Sequence, residues 1–265
     1  MYLKHLDLLI SFIETTYASM IERLEPLLKN REITYDLLWA LFKPNSEVYT
    51  TCPGTGEPRC VKFNHGEEKT RSSGTKYFHL DCRYFDFDGK VFGEAALGLA
   101  VEKFRGTKRI DLLQAFPLEY HRKSSEIRAR LIGYGRIFNN LRGVHHRQYQ
   151  GTAFYKDKDG NKIKVSVKSR IMVDTAYFRQ INPNYARPQI DKSPGTLDLS
   201  DIFDFTGGSI ERKDQIKRTD IDPTEMKDQD FLISSPTVLG FSLGDKLWRA
   251  LSLLTRKRHL LTHYS

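Results

Sequence analysis

The chain has 265 residues, of which 39% are hydrophobic and 28% are charged. This length allows one large domain or two modest ones, and the composition excludes a wholly disordered, collagen-like or membrane-embedded chain. The net charge is +9, but four of these nine charges lie in residues 249–265, which contain no acidic residue. Residues 1–248 therefore carry only a mild basic excess, which argues against a dedicated nucleic-acid-binding domain.

The three cysteines, Cys52, Cys60 and Cys82, are too few for a disulfide framework and odd in number, so reduced thiols are predicted. The apolar run at residues 8–13 is interrupted by Ser11 and fits neither a membrane-spanning helix nor a secretory signal. The sequence also lacks an Asn-x-Ser/Thr acceptor site. These features predict an intracellular protein, cytoplasmic or nuclear, without a transmembrane segment.

Residues 1–45 are predicted to form an N-terminal helical segment. Its apolar residues alternate in steps of four and three, which aligns one side of a helix: Leu6, Ile10, Ile13, Tyr17, Met20, Leu24 and Leu27. Further apolar residues lie beside this stripe: Leu9, Phe12, Ile21 and Leu28. A stripe this wide favours burial of the helix against its own domain over dimerisation. Pro26 is predicted to end or kink the helix.

The next segment, residues 46–182, is predicted to form an α+β body. Strand-like runs dominate its first half, and Asp88-Gly89 between two of them indicates a hairpin, because type I′ turns need positive φ at both central positions. Helical spacing returns over residues 124–142, and a second hairpin follows around Asp159-Gly160. The order of elements predicts N-terminal helices and an antiparallel, barrel-like sheet with one inserted helix.

The C-terminal third changes composition twice. Residues 183–230 contain four prolines and no sustained apolar period, so they are predicted to be a long polar connection that is disordered in part. Residues 231–248 are apolar again and are predicted to dock on the body. Residues 249–265 form a basic tail, for which a frayed, solvated end is favoured over a basic amphipathic helix that touches a membrane surface or RNA.

Soft metal ligands occur at Cys52, Cys60, His79 and Cys82. The pair His79-x-x-Cys82 has a spacing that a zinc site could use, but Cys52 and Cys60 are too far apart for a compact zinc knuckle. In a regular strand His79 and Cys82 also point to opposite faces. Small apolar cysteines in a sheet core are therefore favoured over a zinc site, and no metal or cofactor is assigned.

Two functional alternatives rest on polar side chains. Asp86 and Asp88 share one face of a strand and, with His145 and His146, could form a cryptic hydrolase, although no serine or cysteine has the sequence context of a nucleophile. The second alternative is a basic nucleic-acid-binding module with stacking aromatic rings, which would use Lys108, Arg109, Arg142, Arg147, Tyr149, Phe154 and the basic tail.

The phosphate-binding loop of ATPases, G-x-x-x-x-G-K-[ST], is absent from the sequence. Without such a nest of backbone amides there is no defined place for a triphosphate. We therefore predict that the purified chain does not hydrolyse ATP, and no residue is assigned a catalytic or cofactor-binding role. A phosphate-release assay checks this prediction, and turnover that co-purifies with the chain through every contaminant control would contradict it.

Seven strings in order, within residues 6–248, resemble a known region: ITYDLLWALFKPNSEVYTTC, YFDFDGKVFGE, FRGTKRI, HHRQYQGTAF, KVSVKSRIMVDTAYFR, INPNYARP and SPTVLGFSLGDKLW. They are similar to the uncharacterised region before the ATPase core in a family of filamentous-fungal AAA+ ATPases. The resemblance implies a non-catalytic accessory module that binds a protein substrate, an adaptor or the ATPase core. It also implies that the motor lies C-terminal to this region, and that residues 249–265 are a truncation or frameshift product outside the fold.

Overall fold

A computed structural model of the chain describes residues 2–188, 190, 221–253 and 262–263. The helices are α1 Tyr2–Lys29, α2 Ser124–Asn140, α3 Thr175–Ile181 and α4 Asp228–Leu232. The strands are β1 Glu32–Thr34, β2 Glu47–Thr51, β3 Pro58–Thr70, β4 Lys76–Phe87, β5 Phe92–Glu102, β6 Thr107–Arg109, β7 Phe116–Pro117, β8 His145–Lys156, β9 Lys162–Val173, β10 Thr237–Ser242, β11 Leu247–Ser252 and β12 Thr262–His263. The α+β prediction is confirmed.

The first sheet has five antiparallel strands in the order β5-β4-β3-β2-β7, and β1 pairs separately with β6. The predicted hairpin at Asp88-Gly89 joins β4 to β5, with a left-handed φ of 102° at Gly89. The φ of Asp88 is not positive, so the turn is not of the expected type I′. Alternation along β4 buries Phe78, Leu80 and Cys82 on one face. This face packs on residues from the segment that follows α1, and together they form one of two large apolar cores.

The second sheet closes on itself. Each of β8, β9 and β10 pairs antiparallel with the strand that follows it in the chain. Strand β11 also pairs with β8, so these four strands form a ring, and β12 pairs with β8 as well. The predicted hairpin at Asp159-Gly160 joins β8 to β9, with a φ of 83° at Gly160. The predicted inserted helix is α2, which buries Ile127 and Leu131 in the other large core, between the two sheets.

The ring extends into the segment that the sequence analysis assigned to a tail. Residues 249–252 continue strand β11, and Leu251 is fully buried opposite Ala153 of β8. The side chain of Tyr149 links β8 to the end of β11, because its hydroxyl donates a hydrogen bond to the carbonyl of Ser252 at 3.0 Å. The predicted disorder in the polar connection and the predicted fraying of the tail fall largely on residues 191–220 and 254–261, which lie outside the described residues.

Two expectations for α1 need correction. Pro26 does not end the helix, which continues to Lys29, and the chain leaves the helix at Arg31, whose φ is 58°. The apolar stripe is not buried as a whole against the domain, since only its C-terminal end contacts the core, through Met20, Leu24, Leu27 and Leu28. Within the described part of the chain, no helix has the length and hydrophobicity needed to span a membrane.

Candidate functional site

The candidate site begins at a 3₁₀ helix, Tyr35–Leu41, that follows β1. Residues three apart lie on the same side of a 3₁₀ helix. Leu38 and Leu41 are buried in the core, while Asp36 and Trp39 share the opposite side. The indole of Trp39 is therefore 50% exposed, which is unusual for so large an apolar side chain.

Trp39 lies at an open groove of about 600 Å³. Aromatic rings form much of its wall: Tyr35 and Phe104 meet edge to face with ring centroids 5.8 Å apart, and Phe78 contributes from β4. Gly66 on β3 makes room for the Phe78 ring, because a Cβ at position 66 would lie 2.8 Å from it. We call this concavity the Trp39 groove.

The lining of the Trp39 groove includes Asp36, Glu67, Glu68 and one cation, Lys103. Adjacent residues of a strand point to opposite faces, so the Glu68 side chain shares the face of Phe78, while the Glu67 side chain points to the other face of the sheet. The pKa of Asp36 is lowered mainly by the neighbouring Thr34 side chain and to a smaller extent by Arg23, whose guanidinium donates to the carboxylate at 2.8 Å. The pKa of Glu67 and that of Glu68 are lowered by hydrogen bonds from neighbouring lysines. All three side chains are therefore anionic at neutral pH, and those of Asp36 and Glu68 place two negative charges beside the positive charge of Lys103 in the groove.

Each of these carboxylates already forms an ion pair with an exposed basic side chain. Asp36 contacts Arg23 of α1 at 2.8 Å, and the two glutamates contact lysines on β3 and β4: Glu67 with Lys69 at 3.0 Å and Glu68 with Lys76 at 2.6 Å. Exposed pairs of this kind are worth only about 0–1 kcal/mol. A cation from a bound ligand can therefore replace them at little cost. The pKa of the Tyr35 phenol is raised to about 12 by burial and by the nearby Glu68, so it stays neutral.

A second cavity, of about 470 Å³, lies between the five-stranded sheet and the ring. Its walls carry Asp86, Arg179 and Tyr185. The guanidinium of Arg179 is buried and donates to the carbonyls of Tyr185 and Ala186, at 3.1 and 2.7 Å. These bonds hold residues 185–186 against α3, so Arg179 has a structural role that accounts for its burial.

Asp86 accepts hydrogen bonds from the Tyr84 hydroxyl at 3.0 Å and from the Phe87 amide at 2.9 Å. Burial raises the pKa of Asp86 to about 6, and the two hydrogen bonds and the charges of Arg59 and Arg179 oppose this shift. A carboxyl with such a pKa could transfer protons near neutrality. Within the described residues, however, both hydrogen-bond partners of Asp86 belong to its own strand, so these hydrogen bonds stabilise the local structure.

The four residues of the hydrolase hypothesis do not form one network. Asp88 accepts from the backbone amides of Lys90 and Val91, which closes the β4–β5 turn. The His145 ring contacts the Arg142 carbonyl at 2.7 Å. His146 lies on β8 opposite Met172 of β9. Among the described residues, no hydrogen bond joins Asp86 or Asp88 to either histidine, so the coupled network that this hypothesis required is not observed.

The three cysteine thiols are free and lie in three different apolar clusters. Burial raises the pKa of Cys60, and that of Cys82 to about 12, so both remain protonated. His79 lies on the opposite face of β4 from Cys82, as the strand period predicted. Among the described residues, no three His, Cys, Asp or Glu side chains are grouped so as to hold a metal ion.

The nucleic-acid hypothesis assigned base stacking to two aromatic rings, and this assignment is wrong. Tyr149 and Phe154 are 1% and 8% exposed, because both rings are buried in the ring of strands, and neither is free to stack on a base. Arg109 is engaged by Asp111 at 2.6 Å, and the guanidinium of Arg142 lies 4.6 Å from the Phe92 ring centroid.

Sequence analysis did not identify the residues of the Trp39 groove. The spacing Asp36-x-x-Trp39 is the one local signal, and it indicates a shared face only if the segment forms a 3₁₀ helix. Glu67, Glu68 and Lys103 come from later strands, so their approach to Trp39 depends on the register of the sheet.

Residues 23–122 match a family model described as a domain of unknown function (DUF7025). The matched range contains every residue of the Trp39 groove and stops before α2 and the ring of strands. Comparisons with curated proteins and with solved structures found no match. The chain therefore contains a domain that is similar to an uncharacterised family, and the groove lies within that domain.

Proposed function

We propose that this chain is a non-catalytic accessory module that binds a protein partner through the Trp39 groove. The half-exposed indole of Trp39 is the observation that carries the proposal, because large aromatic side chains dominate the affinity of protein–protein contacts when a partner covers them. The resemblance to the region before the core of fungal AAA+ ATPases supports the same role, since regions in that position bind substrates or adaptors.

The chemistry of the groove selects the kind of segment that it binds. Aromatic walls favour an apolar or cationic side chain, and a lysine or arginine over the Trp39 face gains a cation–π contact. The carboxylates of Asp36 and Glu68 add charge complementarity. The groove is open at the surface, so an extended peptide can lie along it. We therefore infer that the partner presents a short segment with a basic side chain.

Trp39→Ala is expected to weaken such binding at least tenfold, because the variant removes the aromatic anchor of the groove. The probe is a random-peptide phage library, selected on the full chain and then measured by fluorescence anisotropy as individual synthetic peptides. Selected peptides should be enriched in lysine or arginine. Their affinity should fall as salt rises, and it should also fall in the double variant Asp36→Asn, Glu68→Gln.

The matched control is Trp248→Phe, which changes the other tryptophan, on β11 outside the groove, and should leave peptide affinity unchanged. Since Trp39 is half exposed, Trp39→Ala should change the free energy of unfolding by no more than about 1 kcal/mol, so loss of binding would not reflect unfolding. Peptides that bind Trp39→Ala as tightly as the unaltered chain would contradict the proposal.

A further inference from the structure

The N-terminal part of α1 exposes a continuous apolar surface. Eight of its large apolar side chains are 43–74% exposed: Leu6, Leu8, Leu9, Ile10, Phe12, Ile13, Tyr17 and Ile21. Among the residues that the structure describes, only the C-terminal end of the helix contacts the body. Extended apolar patches are rare on the surface of monomeric soluble proteins, and they mark sites of contact with another molecule.

The spacing of these residues identifies the kind of contact. Leu6, Ile10, Ile13 and Tyr17 continue the alternating steps of four and three that lead into Met20 and Leu24, which are partly buried against the body. An average step of 3.5 residues is the period of the a and d positions of a coiled coil, in which d positions include Leu6 and Ile13 and a positions include Ile10 and Tyr17. This seam fits another helix with the same period.

We propose that α1 pairs with α1 of a second copy of this chain, in parallel orientation, along the seam of Leu6, Ile10, Ile13 and Tyr17. The proposal does not depend on the Trp39 groove or on the partner that binds there. It assigns to the exposed half of α1 a role in holding two copies together.

The available area is sufficient for a marginal dimer. Burying the exposed parts of the seam residues, with the flanking Leu9, Phe12 and Ile21, removes about 300 Å² of apolar surface from each copy. With a polar rim in the usual proportion, the interface reaches about 1,000 Å² in total, which is the lower limit for a specific interface. Association is therefore expected to depend on concentration in the micromolar range.

The polar face of α1 argues for a protein partner rather than a membrane surface. The helix carries four acidic residues, Asp7, Glu14, Glu22 and Glu25, against three basic ones, Lys4, Arg23 and Lys29. Helices that lie in the membrane interface instead have lysine and arginine on the polar face, which attract anionic lipids. The polar residues of α1 lack the basic excess that this attraction requires.

The same acidic residues select the parallel orientation. Asp7 and Glu14 both follow a d residue and so occupy e positions, while Leu9 and Thr16 occupy g positions. In an antiparallel pair the e positions of the two helices face each other, which would bring Asp7 close to Glu14 of the second copy. In a parallel pair e faces g, so Glu14 lies beside Leu9 and no acidic residues meet.

The test is the molar mass of the full chain, measured by light scattering or sedimentation over about 1–100 µM. We expect the mass to rise toward twice the 30.8 kDa of one copy. The double variant Ile10→Glu, Ile13→Glu should remain monomeric throughout, because it places two charges in the seam. The matched control Leu8→Glu, Thr15→Glu adds the same two charges at f positions, outside the seam, and should dimerise like the unaltered chain.

Orientation is tested with Leu6→Cys under mild oxidation. Parallel helices place residue 6 of each copy side by side, so a disulfide-linked dimer should form, and the three native thiols are buried and do not compete. A monomeric mass at the highest concentration, or a dimer that survives Ile10→Glu, Ile13→Glu, would overturn the proposal. So would a monomer that sediments with phosphatidylcholine–phosphatidylserine vesicles. A dimer that gives no Leu6→Cys crosslink would overturn the parallel orientation.

Discussion

Gly135→Ala is expected to lower the melting temperature of the chain by about 3–10 °C, although alanine is the better helix former. Gly135 lies on α2 where this helix crosses α4, and an alanine Cβ would lie 2.0 Å from the carbonyl oxygen of Phe231. A backbone atom cannot rotate away, so α4 must shift. Overpacking of this kind costs about 1–3 kcal/mol or more, which exceeds the gain in helix propensity of about 1 kcal/mol.

The shift would spread from α4 to the first sheet. The chain after α4 pairs with the end of β4, where the Phe85 amide donates to the Ile233 carbonyl at 3.0 Å and the Ser235 amide donates to the Phe85 carbonyl at 2.8 Å. Moving α4 strains both hydrogen bonds. Hydrogen exchange should therefore accelerate at Phe85 and Ser235 in the Gly135→Ala variant, which localises the effect to the crossing of α2 and α4.

Gly133→Ala provides the control in the same helix. Gly133 is exposed and an added Cβ would meet no atom within 4 Å, so alanine here should stabilise the chain by up to about 1 kcal/mol. The two substitutions, two residues apart, should therefore change the melting temperature in opposite directions. If Gly135→Ala raises the melting temperature as Gly133→Ala does, then α4 does not pack on α2 as described.

Asp86→Asn is expected to stabilise the chain at pH 7 and to have little effect at pH 4. The pKa of Asp86 is about 6 in the folded chain, against 3.8 for an ordinary aspartate. Between these two values the folded state holds a proton that the unfolded state has released, so the contribution of Asp86 to stability falls as pH rises through this window. A shift of this size corresponds to about 2–3 kcal/mol, and asparagine mimics the protonated form at every pH.

Urea unfolding at several pH values measures this effect as the difference in free energy of unfolding between Asp86→Asn and the unaltered chain. The difference should rise from near zero at pH 4 to about 2–3 kcal/mol at pH 7. Asp88→Asn is the control, because Asp88 lies two residues further along the chain and its carboxylate accepts from the amides of Lys90 and Val91 rather than from the partners of Asp86. A difference that does not change with pH would show that Asp86 has an ordinary pKa.

Local patterns in the sequence predicted several elements of the fold. Each Asp-Gly pair indicated a hairpin because the turn depends on two adjacent residues, and α2 was visible because its buried residues, such as Ile127 and Leu131, recur at helical spacing. The same reasoning gave the correct period for α1 but the wrong burial. Periodicity reports which side of a helix is apolar; it does not report whether the chain itself covers that side.

The Trp39 groove could not be predicted because it depends on sheet register. A bulge between Phe63 and His65 shifts the pairing of β3 with β4 by one residue, and this shift places Glu68 opposite Phe78. Without the bulge the two faces of the distal part of β3 would be exchanged, and different side chains would line the groove. No residue type at this position signals the bulge in the sequence.

Closure of the four-stranded ring has a consequence for synthesis on the ribosome. The pairing of Leu251 with Ala153 joins positions nearly one hundred residues apart in the chain. The backbone groups on one edge of β8 therefore remain unpaired until β11 has left the ribosome. During this interval the nascent chain exposes strand edges that can recruit other chains. We expect ribosome-bound chains that end before Arg249 to need chaperone protection, and full-length chains to lose that need once the ring closes.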